Sequence, residues 1–158
     1  MTEDQQNTPQ ENTENTAARD VLFYVLNSTD QQSRDRFLCQ LLNKIYQQGR
    51  RCDVRFASEQ DARRFELTLW NWKATSFIPH SVMHEMAAPI QLFGERLSKK
   101  CADVLINLHP DFCEDYSDYQ RTIEIVDQSE FLVQKGRVRW KDYQQRQLTP
   151  TVHKIGFD

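Results

Sequence analysis

The chain has 158 residues, 39% of them apolar and 27% charged, with a net charge of −3. That length suits one domain with a real core, and no apolar run approaches the length of a membrane span. Residues 1–20 carry five acids against Arg19, a sum of −4, which leaves the remaining 138 residues near +1. A near-neutral body does not suit general nucleic-acid binding, which calls for a far more basic surface.

Residues 1–17 are almost all Gln, Asn, Thr and Glu. Such a stretch buries too little surface to offset its ordering entropy, so 1–18 is expected as a disordered acidic extension before a domain at 19–158. Its polar start does not read as a signal peptide, which places the chain in the cytoplasm. Asp20–Leu26, D-V-L-F-Y-V-L, predicts a strand buried on both faces. Ser28-Thr29-Asp30 caps a helix running to about Gln48, with Phe37, Leu38, Leu41, Leu42 and Ile45 as its stripe. Cys52–Ala57 predicts a second strand. Ser58 caps a second helix whose apolar face is Ala62, Phe65, Leu69 and Trp70. Three more strands are expected at Ile90–Phe93, Ala102–Leu108 and Thr122–Asp127, with a short helix or turn at 112–119. A last helix follows, and Thr149–Asp158 reads as a tail. The alternation of strands and helices predicts an α/β fold with a mostly parallel five-stranded sheet.

Standard nucleotide chemistry is not visible. Only four glycines occur, and none lies in the turn Asn27–Asp30 after the first strand, where a phosphate would need one. His80 and His84 have helical i, i+4 spacing but follow Pro79 in a loop-like stretch without the H-E-x-x-H pattern, so they read as ordinary loop histidines. Cys39, Cys52, Cys101 and Cys113 form no C-x-x-C pair and read as buried thiols. No G-x-S-x-G elbow appears, and Asp103 and Asp127 are carboxylates at strand edges of a kind found in any such fold. No catalytic residue, metal site or cofactor is predicted.

Two stretches stand out. Gly136–Arg146, G-R-V-R-W-K-D-Y-Q-Q-R, interleaves Arg137, Arg139, Lys141 and Arg146 with Trp140 and Tyr143. On a helix, Arg137, Trp140 and Lys141 share one face, while Arg139 and Tyr143 pair on another. Two cations beside a large ring suit an anion that also carries an apolar group. Leu69–His80, L-W-N-W-K-A-T-S-F-I-P-H, crowds aromatics into a helix end and the loop after it. Trp70 continues its helix's apolar face and reads as core on that ground. Phe77 is harder to bury and reads as a partner surface.

Together the motifs F-Y-V-L at Phe23–Leu26, L-W at Leu69–Trp70, S-F-I-P-H at Ser76–His80, A-P-I at Ala88–Ile90, D-V-L-I-N-L at Asp103–Leu108 and R-V-R-W-K-D-Y at Arg137–Tyr143 resemble the chi-subunit family of bacterial DNA polymerase III. The resemblance covers Val21 to about Leu148. It implies a three-layer, Rossmann-like α/β/α domain without enzymatic activity, an accessory of the clamp loader. It implies two partners, the psi subunit and the acidic C-terminal tail of single-stranded DNA-binding protein (SSB), with DNA met only indirectly. The tail pocket carried over by motif is Arg137, Trp140 and Lys141. The family commonly has Tyr where this chain has Trp140, which keeps the stacking surface and loses the hydroxyl. The psi surface carried over is Trp70 and Phe77, a region that an accessory helicase shares in some members. Two readings compete with this one. The first is direct single-stranded nucleic-acid binding, with bases stacked on Trp140 and Tyr143. The second is an α/β enzyme with a deep polar pocket at the carboxyl ends of its strands.

Overall fold

The computed structural model describes residues 19–73 and 77–157. The acidic extension and Ser76 of the S-F-I-P-H motif lie outside them. The elements are β1 (Asp20–Leu26), α1 (Gln31–Gln47), β2 (Cys52–Arg55), α2 (Glu59–Asn71), β3 (His80–Val82), β4 (Ile90–Phe93), β5 (Val104–Asn107), a 3-10 turn (Glu114–Asp118), β6 (Arg121–Val126), α3 (Glu130–Gln145) and β7 (Thr151–Ile155). The strands form one sheet in the order β3-β4-β2-β5-β6-β1-β7, and every pairing is parallel. The architecture is the expected Rossmann-like one, but the sheet has seven strands rather than five. The two additions are its edges. β3 is only three residues long, too short to show a period. Pro150 and Gly156 bracket β7, so the sequence there has the character of a tail.

Alternation along the strands sorts the interior into two layers of different chemistry. Leu22 and Leu26 of β1, Cys52 and Val54 of β2, Val104 and Ile106 of β5, and Ile123 and Ile125 of β6 meet the stripe of α1 (Leu38, Leu41, Leu42, Ile45) and Phe65 and Leu69 of α2. This layer is apolar throughout. The opposite face presents Val21 and Phe23 with Asp53, Arg55, Asn107, Thr122 and Glu124, all buried. Buried polar groups persist only when bonded. α3, the 3-10 turn and the loops around them supply most of the partners.

The caps form as the sequence predicts at two helix starts. Asp30 accepts from the Ser33 backbone N–H at 2.9 Å, and Ser58 Oγ accepts from the Asp61 N–H at 3.1 Å. α3 ends in a Schellman turn. Leu148 N–H donates to the Tyr143 carbonyl and Gln147 N–H to that of Gln144, both at 3.0 Å, with Gln147 at φ 64°. A glutamine fills the position where glycine would have signalled the stop.

Candidate functional site: a groove between the last helix and the edge strand

β6, α3 and β7 form a parallel crossover unit, and β1 lies between its two strands. α3 therefore passes over β1 on the way to β7. It is drawn close to the sheet at Gly136, where an added Cβ would lie 3.0 Å from Val126 Cγ1. Between α3 and β7 the sheet stays open. The result is a groove of about 520 Å³, walled by Phe23, Val25 and Val126 on the sheet, Val152 on β7, and Trp140 on α3. Arg137, Lys141 and Gln144 also line it from α3.

The structure brings Arg137, Trp140 and Lys141 together here, on one face as expected. Trp140 is half-buried, its ring centroid 5.1 Å from that of Phe23. Arg137 and Lys141 are exposed, and neither has a carboxylate partner among the described residues. Asp127 also lines the groove, yet its carboxylate is fully covered. It accepts from Arg34, from the Ser129 N–H at 3.0 Å and from Ser129 Oγ at 2.6 Å. The acid is thus neutralised from behind, and the open face of the groove is apolar with a cationic rim.

Behind Trp140 stands a polar network that residue spacing indicated only as an Arg139–Tyr143 pair. Both are buried. Arg139 Nε donates to Glu124 Oε1 at 2.8 Å, Tyr143 OH to Glu124 Oε2 at 2.7 Å, and Asn107 Nδ2 to Glu124 Oε2 at 3.2 Å. Arg139 also donates to the Pro110 carbonyl. Burial pushes the Glu124 carboxyl up, and Arg139, Tyr143 and Asn107 pull against it. Burial likewise raises the Tyr143 hydroxyl far above its ordinary range. The network fixes the rotation of α3, which sets which side chains face the groove. Nothing in the sequence marks Glu124, which sits inside the strand pattern T-I-E-I-V as an acid among apolar neighbours.

This geometry corrects two sequence readings. Tyr143 offers no face to a base, and Arg139 offers no charge to a phosphate, so the nucleic-acid reading loses two of its groups. Trp70 is not core. It is 56% exposed, packed edge-on to His80 at 5.2 Å and against Phe77, itself 60% exposed, at 5.4 Å. The buried face of α2 is Ala62, Phe65 and Leu69, and Trp70 lies about 100° round from Leu69. His80 is a β3 residue whose Nδ1 lies 2.7 Å from the Ile78 carbonyl, so it supports the patch.

Other candidates separate. Asp103 precedes β5 and binds Arg50 and the Arg51 N–H, while Asp127 follows β6, at the opposite end of the strands. At the carboxyl ends of β2, β5 and β6 lies a pocket of only about 140 Å³. There Arg34 is paired with Asp127 and Arg64 with Asp35. No group of three metal-ligating side chains occurs among the described residues, and none of their helices is long and apolar enough to cross a membrane. All four cysteines are free thiols, Cys39, Cys52 and Cys113 buried and Cys101 partly so, and burial pushes the Cys39 thiol up to about 12.

Comparison with known proteins gives one consistent result. Residues 19–151 match the family model described as DNA polymerase III chi subunit, HolC. A DNA polymerase III subunit chi from Pseudomonas aeruginosa is 28% identical over 136 residues, covering 85% of this chain and 96% of the relative. That of Escherichia coli K12 is 24% identical, covering 79% and 90%, and that of Haemophilus influenzae 25%, covering 78% and 89%.

Proposed function

The chain belongs to the DNA polymerase III chi-subunit family, accessory subunits of the replicative polymerase, and from that premise we propose that it is a non-catalytic cytoplasmic adaptor with two docking faces. One face takes the acidic C-terminal tail of SSB, and the other takes psi. The observation that carries the first assignment is the groove, which sets an apolar slot directly beside two cations that have no carboxylate partner among the described residues. A peptide ending in acids and a C-terminal Phe brings carboxylates and a ring together. Its ring fits between Trp140, Phe23 and Val152, and its carboxylates meet Arg137 and Lys141. Arg presents a planar fork to a carboxylate and Lys a point charge. The indole of Trp140 fills the stacking role without a hydroxyl.

The second face rests on Trp70 and Phe77, two adjacent exposed rings, one near the end of α2 and the other just before β3. Exposed aromatic pairs of this kind are the usual anchors of protein interfaces. An accessory helicase is the alternative occupant of the same rings. Linking both faces in one chain ties the clamp loader to SSB-coated template, with DNA met only through SSB.

Calorimetric titration with an acidic peptide ending in free Phe tests the groove. Saturable binding that disappears when the terminal carboxyl is amidated is expected. Binding indifferent to amidation would remove the carboxylate from the account.

A further inference from the structure

We propose that Lys154 of the edge strand β7 is a third cation of the groove, and that it faces Arg137 across the slot so that the carboxylates of an acidic peptide lie between them. The inference rests on the groove being a peptide site, and it adds a second cationic wall to that reading.

Strand register carries the argument. In the β1–β7 pairing Phe23 stands beside Val152, Tyr24 beside His153 and Val25 beside Lys154. Residues paired in a parallel ladder project to the same side of the sheet. Phe23, Val25 and Val152 all line the groove, so Lys154 projects to the groove side as well. The intervening pair confirms the parity from the other face, where the His153 ring lies 5.5 Å from that of Tyr24, which in turn packs on Phe37 of α1. Lys154 is exposed and has no carboxylate partner among the described residues, and its Nζ lies 5.8 Å from the exposed Phe157 ring. The strand is held in place beyond Lys154, where Asn27 N–H donates to the Ile155 carbonyl at 3.0 Å and Asn27 Nδ2 to that of Gly156 at 3.0 Å.

Direction follows from the same register. α3 begins where β6 ends and runs back along the sheet, so its first turns lie over the carboxyl ends of β6 and β1. Val25 and Lys154 lie toward that end, as do Val133 and Arg137. Phe23 and Val152 lie further back, beside Trp140. Arg137 and Lys154 therefore flank one end of the groove, while Phe23, Trp140 and Val152 form its apolar wall further back, with Lys141 on the rim beside Trp140.

Titration of the full chain with the acidic, Phe-ending peptide tests this. Lys154→Ala should weaken binding about three- to fivefold, as expected for a partly solvated ion pair, and should reduce the salt dependence. Lys154→Glu should weaken it further, and Lys154→Arg should retain wild-type affinity. Lys44→Ala, on the last turn of α1 across the sheet, should change nothing. The Arg137→Ala, Lys154→Ala pair should be less than additive, because the two cations share one group of carboxylates. Unchanged affinity in Lys154→Ala alongside a loss in Arg137→Ala would overturn this inference and leave the groove assignment standing. No peptide binding by the wild-type chain would overturn both.

Discussion

The groove and the aromatic patch sit at opposite edges of one sheet, and they are built from opposite resources. The groove lies over β1 and β7, with its charge on a helix pinned by the buried Glu124–Arg139–Tyr143 network. The patch lies beside β3, its two rings in tilted contact with each other and packed on His80. Six strand spacings separate the two edges, roughly 29 Å at the usual interstrand distance. One surface presents charge and an apolar slot together, and the other presents two exposed rings. On the proposed reading, the fold would separate two recognition tasks by placing each at a sheet edge, where backbone or side chains stay accessible.

The largest expected effect disables one region only. Glu124→Ala leaves Arg139 buried without its carboxylate, and breaking such a pair costs about 3–5 kcal/mol. Urea unfolding should show that loss. A change below about 1 kcal/mol would mean that the network does not anchor α3. Next comes Trp70→Ala, which should weaken psi binding roughly 30-fold or more, as removal of an interface anchor does, while leaving peptide affinity intact. An equal loss at both faces would show that the two are not separate. Arg137→Ala should weaken the peptide about tenfold by removing a charge-assisted contact, with psi binding unaltered in the same preparation. The smallest contrast is in salt. Raising it from 0.1 M toward 1 M shortens the screening length from about 10 Å to about 3 Å, so peptide affinity should fall severalfold while psi affinity holds. A salt response shared by both would contradict the contrast in chemistry.

How much of this the sequence displayed depended on whether a feature was periodic. The run D-V-L-F-Y-V-L announces a strand buried on both faces, and the motif R-V-R-W-K announces a helix face with two cations and a ring. Both appear where the spacing puts them. What spacing could not show is which side of a helix the sheet takes. Arg139 and Arg137 are two residues apart and chemically alike, yet one is buried on Glu124 and the other is open. Only the position of Glu124 on β6 decides between them. Trp70 follows Leu69 directly, and one helical step of about 100° carries it from core to solvent. The edge strands escaped for a related reason. β7 alternates Thr, Val, His, Lys and Ile with every residue exposed, so no apolar run marks it, and the glutamine at the end of α3 hid the turn that feeds it. Without β7 the second wall of the groove, Val152, is hidden too, and with it the proposed role of Lys154.

The central claim is that the two faces act independently within one chain. Calorimetry would compare the acidic, Phe-ending peptide titrated into the protein alone and into the protein saturated with psi. The account predicts the same affinity and stoichiometry in both titrations. Loss of peptide binding in the psi-saturated sample would contradict it, and would place both partners on one surface.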